Sequence, residues 1–260
     1  MIEDARDPRL QLFANVGDAE LLRGHGLFVA EGRLIVQRVL ADARFRVRAV
    51  LVNPATAREL APTLEATSAP VHVAHTGVFE RLTGFNLHRG CLALVERPAA
   101  AALSAVSNER LLVAVDGLSD ADNVGGVFRN AAAFGAGGVL LDSGSCDPFY
   151  RKAVRTSMGA VLHVPFVRST DLAGSLKALQ SAGFLVIALT PREPCHDLDD
   201  VVGDLRGSRV ALVVGNEGTG VSDAVIELAD HAARIPMTAR VDSLNVAVAA
   251  GIALYRLSGR

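Results

Sequence analysis

Cysteine is scarce in this 260-residue chain, with only Cys91, Cys146 and Cys195 present. They are far apart, odd in number and form no CxxC pair, so neither a disulfide framework nor a zinc site is indicated. The adjacent pair Cys195-His196 is too small a donor set for a metal reading. Net charge is also lacking: the formal value is −2, which excludes a global basic field and leaves any polyanionic partner to a local patch. Lysine is limited to Lys152 and Lys177, so nearly every cation is an arginine. Arginine grips phosphate through a fixed fork, although genomic codon bias accounts for the excess better than selection for RNA. Long polar low-complexity tracts are absent while half the residues are apolar, so most of the chain is expected to fold. The N-terminus has no apolar signal-peptide core, and the most apolar late run, Leu244 to Leu257, is too short and alanine-rich for a membrane span. A cytoplasmic location is the expectation.

An alanine-rich break after Pro98 divides the chain into an expected first domain, 1–98, a linker, 99–108, and a second domain, 109–260; a short helix within one domain is the alternative reading of the break. In the first, Leu27–Ala30, Val47–Val52, Val71–Ala74 and Cys91–Val95 read as strands, with helices over Arg33–Ala41 and Ala55–Ala66. In the second, strands are expected at Leu111–Val115, Gly138–Leu141, His163–Val167, Phe184–Leu189 and Val210–Val214. Helices are expected from about Asn123 to Phe134, near Tyr150–Ser157 and over Asp171–Ala182. This alternation predicts an α/β fold with a parallel sheet covered by helices on both faces. Leu244–Leu257 is apolar nearly all round and should be buried.

Three segments of the second domain carry the chemistry. The first is Asp122-Asn-Val-Gly-Gly-Val-Phe-Arg-Asn-Ala-Ala-Ala-Phe-Gly135. The second is Val213-Val-Gly-Asn-Glu-Gly-Thr-Gly220, and the third runs from Ile235-Pro-Met through Ser243-Leu-Asn-Val246 to Ala250. Ligand sites in open parallel sheets lie beyond the carboxyl ends of strands, and Gly215–Gly220 directly follows such a strand. Its glycines allow positive φ and close backbone approach to a ligand; an ordinary glycine-rich turn has the same composition. A P-loop is excluded by the missing lysine and hydroxyl pair, and the GxGxxG dinucleotide pattern fails here.

In this order the segments resemble the three motifs of the SpoU (TrmH) ribose methyltransferases, part of the SPOUT superfamily of S-adenosylmethionine-dependent RNA methyltransferases. The resemblance implies a C-terminal SPOUT domain with a deep trefoil knot and a homodimer built on the last helix. It implies S-adenosylmethionine as the cofactor and transfer of its methyl group to a ribose 2′-hydroxyl, with ribosomal RNA favoured over transfer RNA. By the same resemblance Gly215, Ile235 and Leu244 contact the cofactor, and Thr190, Asn216, Gly220 and Met237 join that pocket. Arg129 occupies the position of the family's catalytic arginine. A guanidinium is effectively always protonated, so its expected role is to grip a phosphate and stabilise the developing alkoxide. Asn123, Glu217, Ser243 and Asn245 match the remaining polar motif positions. Asn123 or Asp122 fits equally a helix N-cap, and Ser243 and Asn245 could cap the last helix.

Arg151, Lys152 and Arg155 form the densest basic cluster near a motif, and the i, i+4 arginines suit adjacent phosphates if they share a helical face. A solvated helix face is the plainer reading. Phe28-Val-Ala-Glu-Gly32 and Phe85 to Pro98 resemble the family's N-terminal substrate-binding domain, a ribosomal-protein-like α/β fold. Arg89 stands where the family more often has glutamine. Arg23, Arg33, Arg38, His88 and Arg89 are RNA-contact candidates. Two other readings compete: a nucleotide-binding oxidoreductase on an ordinary doubly wound sheet, with Asp142 as its ribose acid, and a non-catalytic RNA-binding relative.

Overall fold

The structure is a computed structural model that describes residues 1–13, 17–83, 90–205, 207–238 and 243–259. The candidates His88 and Arg89 lie outside the described residues. The chain divides into two compact units: residues 1–99 with 149–158, and residues 100–148 with 159–260.

In the first unit, strands β1 (Leu27–Glu31), β2 (Val47–Val52), β3 (Val71–Val73) and β4 (Cys91–Glu96) form a sheet of order β1-β4-β2-β3. β4 runs antiparallel to both neighbours, while β2 and β3 are parallel. One face buries Leu27, Val29, Leu51, Leu92 and Leu94 against Leu10, Phe13, Leu21 and Phe79 from the surrounding helical segments. Because strand side chains alternate, Phe28 points to the other face, where its ring stacks on Phe149 at 4.6 Å. The expected helix Ala55–Ala66 is instead two, Pro54–Glu59 and Ala61–Glu65. Asn53 caps the first by accepting from the Thr56 amide at 2.8 Å. The break falls beside Pro62, which has no N–H to continue the ladder. Two helices that periodicity did not reveal, Asp18–His25 and Thr76–Thr83, supply Leu21, Val78, Phe79 and Leu82 to the first of these buried faces.

The second unit is a seven-stranded sheet of β5 (Leu111–Asp116), β6 (Gly138–Leu141), β7 (Phe166–Arg168), β8 (Phe184–Leu189), β9 (His196–Asp197), β10 (Arg209–Gly215) and β11 (His231–Arg234), in the order β7-β6-β5-β10-β8-β11-β9. Every pairing is parallel. β7 starts three residues later than expected, because Ala160–Leu162 forms a 3₁₀ turn ahead of Pro165. Residues 100–108 contain the short helix Leu103–Val106, whose Val106 lies in the core of this unit.

The helix Ala121–Phe134 begins two residues before the expected start. Asp120 is its N-cap, accepting from the Asp122 amide at 2.6 Å, so neither Asn123 nor Asp122 caps it. Gly135 ends it at φ 75°, a conformation glycine adopts without strain. The last helix, Val246–Ser258, is held against it by small residues. A Cβ on Gly126 would come within 2.6 Å of the Ala247 Cβ, and Asn130 Nδ2 donates to the Ala247 carbonyl at 2.6 Å. The last helix is only half buried, contrary to the reading of its composition. Ala250, Ala253 and Leu254 are buried, whereas Val248, Ile252 and Tyr255 are exposed by 51%, 38% and 50%. A uniformly apolar helix gives no sign of which side its own chain covers.

Candidate active site

The carboxyl ends of β8, β10 and β11 converge on one cavity of about 570 Å³. Loops leaving these strands and the start of the last helix form its walls, the placement expected for a ligand site on an open parallel sheet. Thr190, Gly215, Asn216, Glu217, Gly220, Ile235, Met237, Ser243, Leu244 and Asn245 all line it. These are the residues that the second and third segments, with Thr190, brought forward as candidates. Asn123 and Arg129 do not line it.

The glycine-rich turn has little freedom to be anything else. A Cβ on Gly215 would lie 2.2 Å from the backbone of Gly220 and Val221, and Gly220 has φ 73°. Asn216 builds the turn: its backbone pairs both ways with Gly220, and its Oδ1 accepts from the Gly218 and Thr219 amides at 2.8 and 3.2 Å. Its Nδ2 donates to the Gly117 carbonyl at 2.7 Å. Side-chain groups so committed shape the cavity, and leave Asn216 little to offer a ligand. The Gly117 amide is in turn held by Asp142 at 3.0 Å. Burial works to raise the Asp142 pKa, but bonds from Ser145 and the Gly117, Gly144 and Ser145 amides outweigh it and hold the carboxylate below its usual range. The acid once considered for a nucleotide ribose is thus an anchor between the loops after β5 and β6.

Three polar motif residues that are distant in sequence form a single chain. Asn245 Nδ2 donates to Asn123 Oδ1 at 2.8 Å, and Asn123 Nδ2 donates to Glu217 Oε1 at 2.7 Å. Asn245 Oδ1 also caps the last helix, accepting from the Ala247 and Val248 amides. Ser243 is exposed at the cavity edge and is not that cap. Arg129 lies six residues beyond Asn123 on the same helix, on a different face from Asn123 and Asn130. It is exposed and has no hydrogen bond or ion pair with the described residues.

The proposed RNA contacts of the first unit are mostly occupied. Arg33 pairs with Glu59, and Arg38 donates to the Met158 carbonyl at 2.5 Å. Arg151 is half-buried, its amide bonded to Asp18 Oδ2 at 2.8 Å and its Nε 4.0 Å from Asp18 Oδ1. Arg155 lies 3.9 Å from the buried carboxylate of Glu31. Arg151, through its amide, therefore ties 149–158 to Asp18 within the first unit, while Arg155 remains exposed beside Glu31. Lys152 is exposed.

Arg192 and Arg234 also line the cavity, and sequence reasoning missed both. Arg192 donates to the Val221 carbonyl at 3.2 Å and pairs with Asp223. Arg234 bridges Glu193 at 2.7 Å and Asp197 at 2.8 Å. Arg192 follows a strand that was recognised, so its place at a carboxyl end was a usable signal. β11 was invisible because His-Ala-Ala-Arg has neither β-branched residues nor alternation. Cys195 sits beside Glu193 and Arg234, with burial, then the Glu193 carboxylate, raising its pKa. No group of three or more His, Cys, Asp or Glu side chains placed to hold a metal occurs among the described residues.

Known proteins resemble both the sequence and the fold. A protein of Mycobacterium bovis named as an uncharacterized tRNA/rRNA methyltransferase is 38% identical over 257 residues, covering 97% of this chain and 89% of its own length. The crystal structure of an AdoMet-bound rRNA methyltransferase from Sinorhizobium meliloti superposes with a TM-score of 0.84 at 25% identity, over 98% of this chain and 96% of that one. A structure described as an RNA 2′-O ribose methyltransferase gives a TM-score of 0.79 at 26% identity, over 98% and 97% of the two chains. These likenesses displace the oxidoreductase reading. The SpoU rRNA methylase family model matches residues 110–255, the stretch that holds the whole cavity and the Asn123–Glu217–Asn245 chain, and this protein belongs to that family.

Proposed function

We propose that this protein uses S-adenosylmethionine to methylate a ribose 2′-hydroxyl of RNA, with ribosomal RNA as the favoured substrate. The observation that carries the reading is the cavity at the carboxyl ends of three parallel strands, joined by hydrogen bonds to the start of the Ala121–Phe134 helix. Its volume of about 570 Å³ falls within the range of small-molecule sites. Ile235, Met237 and Leu244 supply apolar surface, while the turn at Gly215–Gly220 offers exposed backbone without side chains in the way. A purine with a flexible zwitterionic tail fits such a lining.

The sulfonium of the bound cofactor supplies the electrophilic methyl group. The protein's own task is to align a ribose hydroxyl with it and to manage the hydroxyl proton and the growing negative charge on oxygen. Asn123 orients Glu217, which places a carboxylate at the cavity mouth to orient the acceptor or take its proton. Asn245 holds Asn123 in the rotamer that does so, and Ser243 offers one further hydroxyl at the edge. Arg129, exposed beyond this chain, grips an RNA phosphate and stabilises the alkoxide electrostatically.

Further parts of the reading rest on the same family. The first unit serves as the substrate-binding domain, with a ribosomal-protein-like fold. The last helix forms a homodimer through Val248, Ile252 and Tyr255, an apolar stripe at i, i+4, i+7 spacing. A trefoil knot belongs to the same family reading, and the return of the last segment to the first motif helix is the contact such a knot requires. β10 lies beside β5, yet the chain after β11 must come back for Asn245 to reach Asn123, on the helix that follows β5.

The test is transfer of labelled methyl from S-adenosylmethionine to ribosomal RNA or transfer RNA, followed by alkaline hydrolysis. A 2′-O-methyl group blocks cleavage of the adjoining phosphodiester, so label should appear in alkali-stable dinucleotides of ribosomal RNA. Label released as mononucleotides would mean a base is the target, and label only in transfer RNA would reverse the substrate preference.

A further inference from the structure

We propose that Arg192 recognises the α-carboxylate of the amino-acid half of S-adenosylmethionine, exchanging its contact with Asp223 for the ligand; this inference rests on the cofactor reading above. The tail of that cofactor ends in a carboxylate, and a carboxylate in a partly apolar cavity needs a cation or several donors. Among the described residues lining the cavity only Arg192 and Arg234 carry positive charge. Their circumstances differ. Arg234 is gripped by two carboxylates, Glu193 at 2.7 Å and Asp197 at 2.8 Å, through two different nitrogens. Its charge is already matched, and it ties the segment between β8 and β9 to β11.

Arg192 has a single acidic partner, Asp223, whose side chain is 75% exposed. An ion pair that open to water contributes little and is readily exchanged. The remaining bond of the Arg192 guanidinium, to the Val221 carbonyl at 3.2 Å, joins it to the residue directly after the glycine-rich turn. Its backbone amide is held by the Thr190 hydroxyl at 3.2 Å, and Thr190 is itself buried. The backbone of Arg192 is thus anchored at the cavity rim and its guanidinium is steered there by the Val221 carbonyl before any ligand arrives, with donors left over from its five N–H groups. Such preorganisation lowers the ordering cost of binding. Asp223 is then a weak competitor for the fork, given up when a stronger, less hydrated carboxylate arrives.

Calorimetric titration with two ligands tests this directly. S-adenosylhomocysteine carries the amino-acid tail, and 5′-methylthioadenosine carries the nucleoside without it. In Arg192→Ala, affinity for S-adenosylhomocysteine should fall about tenfold or more, the equivalent of one charge-assisted hydrogen bond. Affinity for methylthioadenosine should stay within about twofold, a difference too small to represent a lost contact. Asp223→Ala removes the competitor, so it should leave S-adenosylhomocysteine binding unchanged or tighter. Equal losses for both ligands in Arg192→Ala, or weakened binding in Asp223→Ala, would make the pair a loop clamp and overturn the assignment alone. Failure of the unaltered protein to bind either ligand would overturn the cofactor reading and this assignment with it.

Discussion

Asn123 and Glu217 are 94 positions apart in sequence, yet the amide Nδ2 of one donates to the carboxylate of the other at 2.7 Å. The bond links the helix after β5 to the turn after β10. Because Asn245 donates to the other side of the same amide, Asn123 is fixed in both orientation and rotamer. Asn123→Ala should therefore lower turnover by up to about a hundredfold, as expected for a lost positioning contact, with cofactor affinity nearly intact. Asn123→Asp should be worse, since it sets a second negative charge against Glu217. Kinetics that separate kcat from the cofactor KM decide it; a change in KM alone would place Asn123 in cofactor binding.

Arg129→Ala should abolish methyl transfer while cofactor binding is unchanged, because the residue is exposed and lies outside the cavity lining. Single-turnover transfer and calorimetry on the same preparation would check this. Near-normal turnover would remove Arg129 from the mechanism.

Gly215→Ala should destroy the site from within. The added methyl meets Gly220 and Val221 backbone at 2.2 Å, and backbone cannot swing aside as a side chain can. Overpacking of this kind costs on the order of 1–3 kcal/mol. The measurable outcome is a lower melting temperature together with loss of cofactor affinity. Unaltered affinity would show that the turn is not part of the binding wall.

The first unit should show a pH signature at Asp18. Burial is the largest influence on this carboxyl and raises its pKa, outweighing the attraction of the Arg151 amide and guanidinium. A folded-state pKa above the unfolded one means that the stability contribution is present at low pH and is lost as pH rises through the folded value. Asp18→Asn keeps an acceptor for the Arg151 amide without a buried charge. It should therefore match or exceed the original protein in melting temperature at pH 7, and the difference should shrink toward pH 3.5. A variant that is less stable at pH 7 than at pH 3.5, relative to the original, would reverse the sign.

Ile252→Glu should convert a dimer to a monomer, because Val248, Ile252 and Tyr255 form the exposed stripe of the last helix. Tyr255 is braced edge-on by Phe134 at 5.8 Å, which leaves Ile252 at the centre of the stripe. Light scattering at micromolar concentration reads the mass. A monomer before substitution would sink the dimer reading.

The sequence by itself determined the parts that rest on local patterns. Runs such as Leu111–Val115 and Phe184–Leu189 are β-branched or apolar throughout, and they became the central strands of a parallel sheet. The helix expected over Asp171–Ala182 is found within one residue at each end, and the one expected to end at Phe134 ends there, because capping by Asp171 and Gly135 is chemistry between near neighbours. The order of three glycine- and asparagine-bearing segments was enough to suggest the family and, with Thr190 after a recognised strand, to name ten residues that line one cavity. Tertiary structure alone decided which polar groups meet. It showed Asn216 spent on its own turn, Asp120 as the cap in place of Asn123, and Arg151 and Arg155 turned toward Asp18 and Glu31. It also showed the small residues Gly126 and Ala247 in contact across 121 positions of sequence, leaving the opposite face of an all-apolar helix bare. The reason is physical: periodicity records which residues avoid water, whereas pairing of charges and amides depends on chain crossings that no local pattern contains.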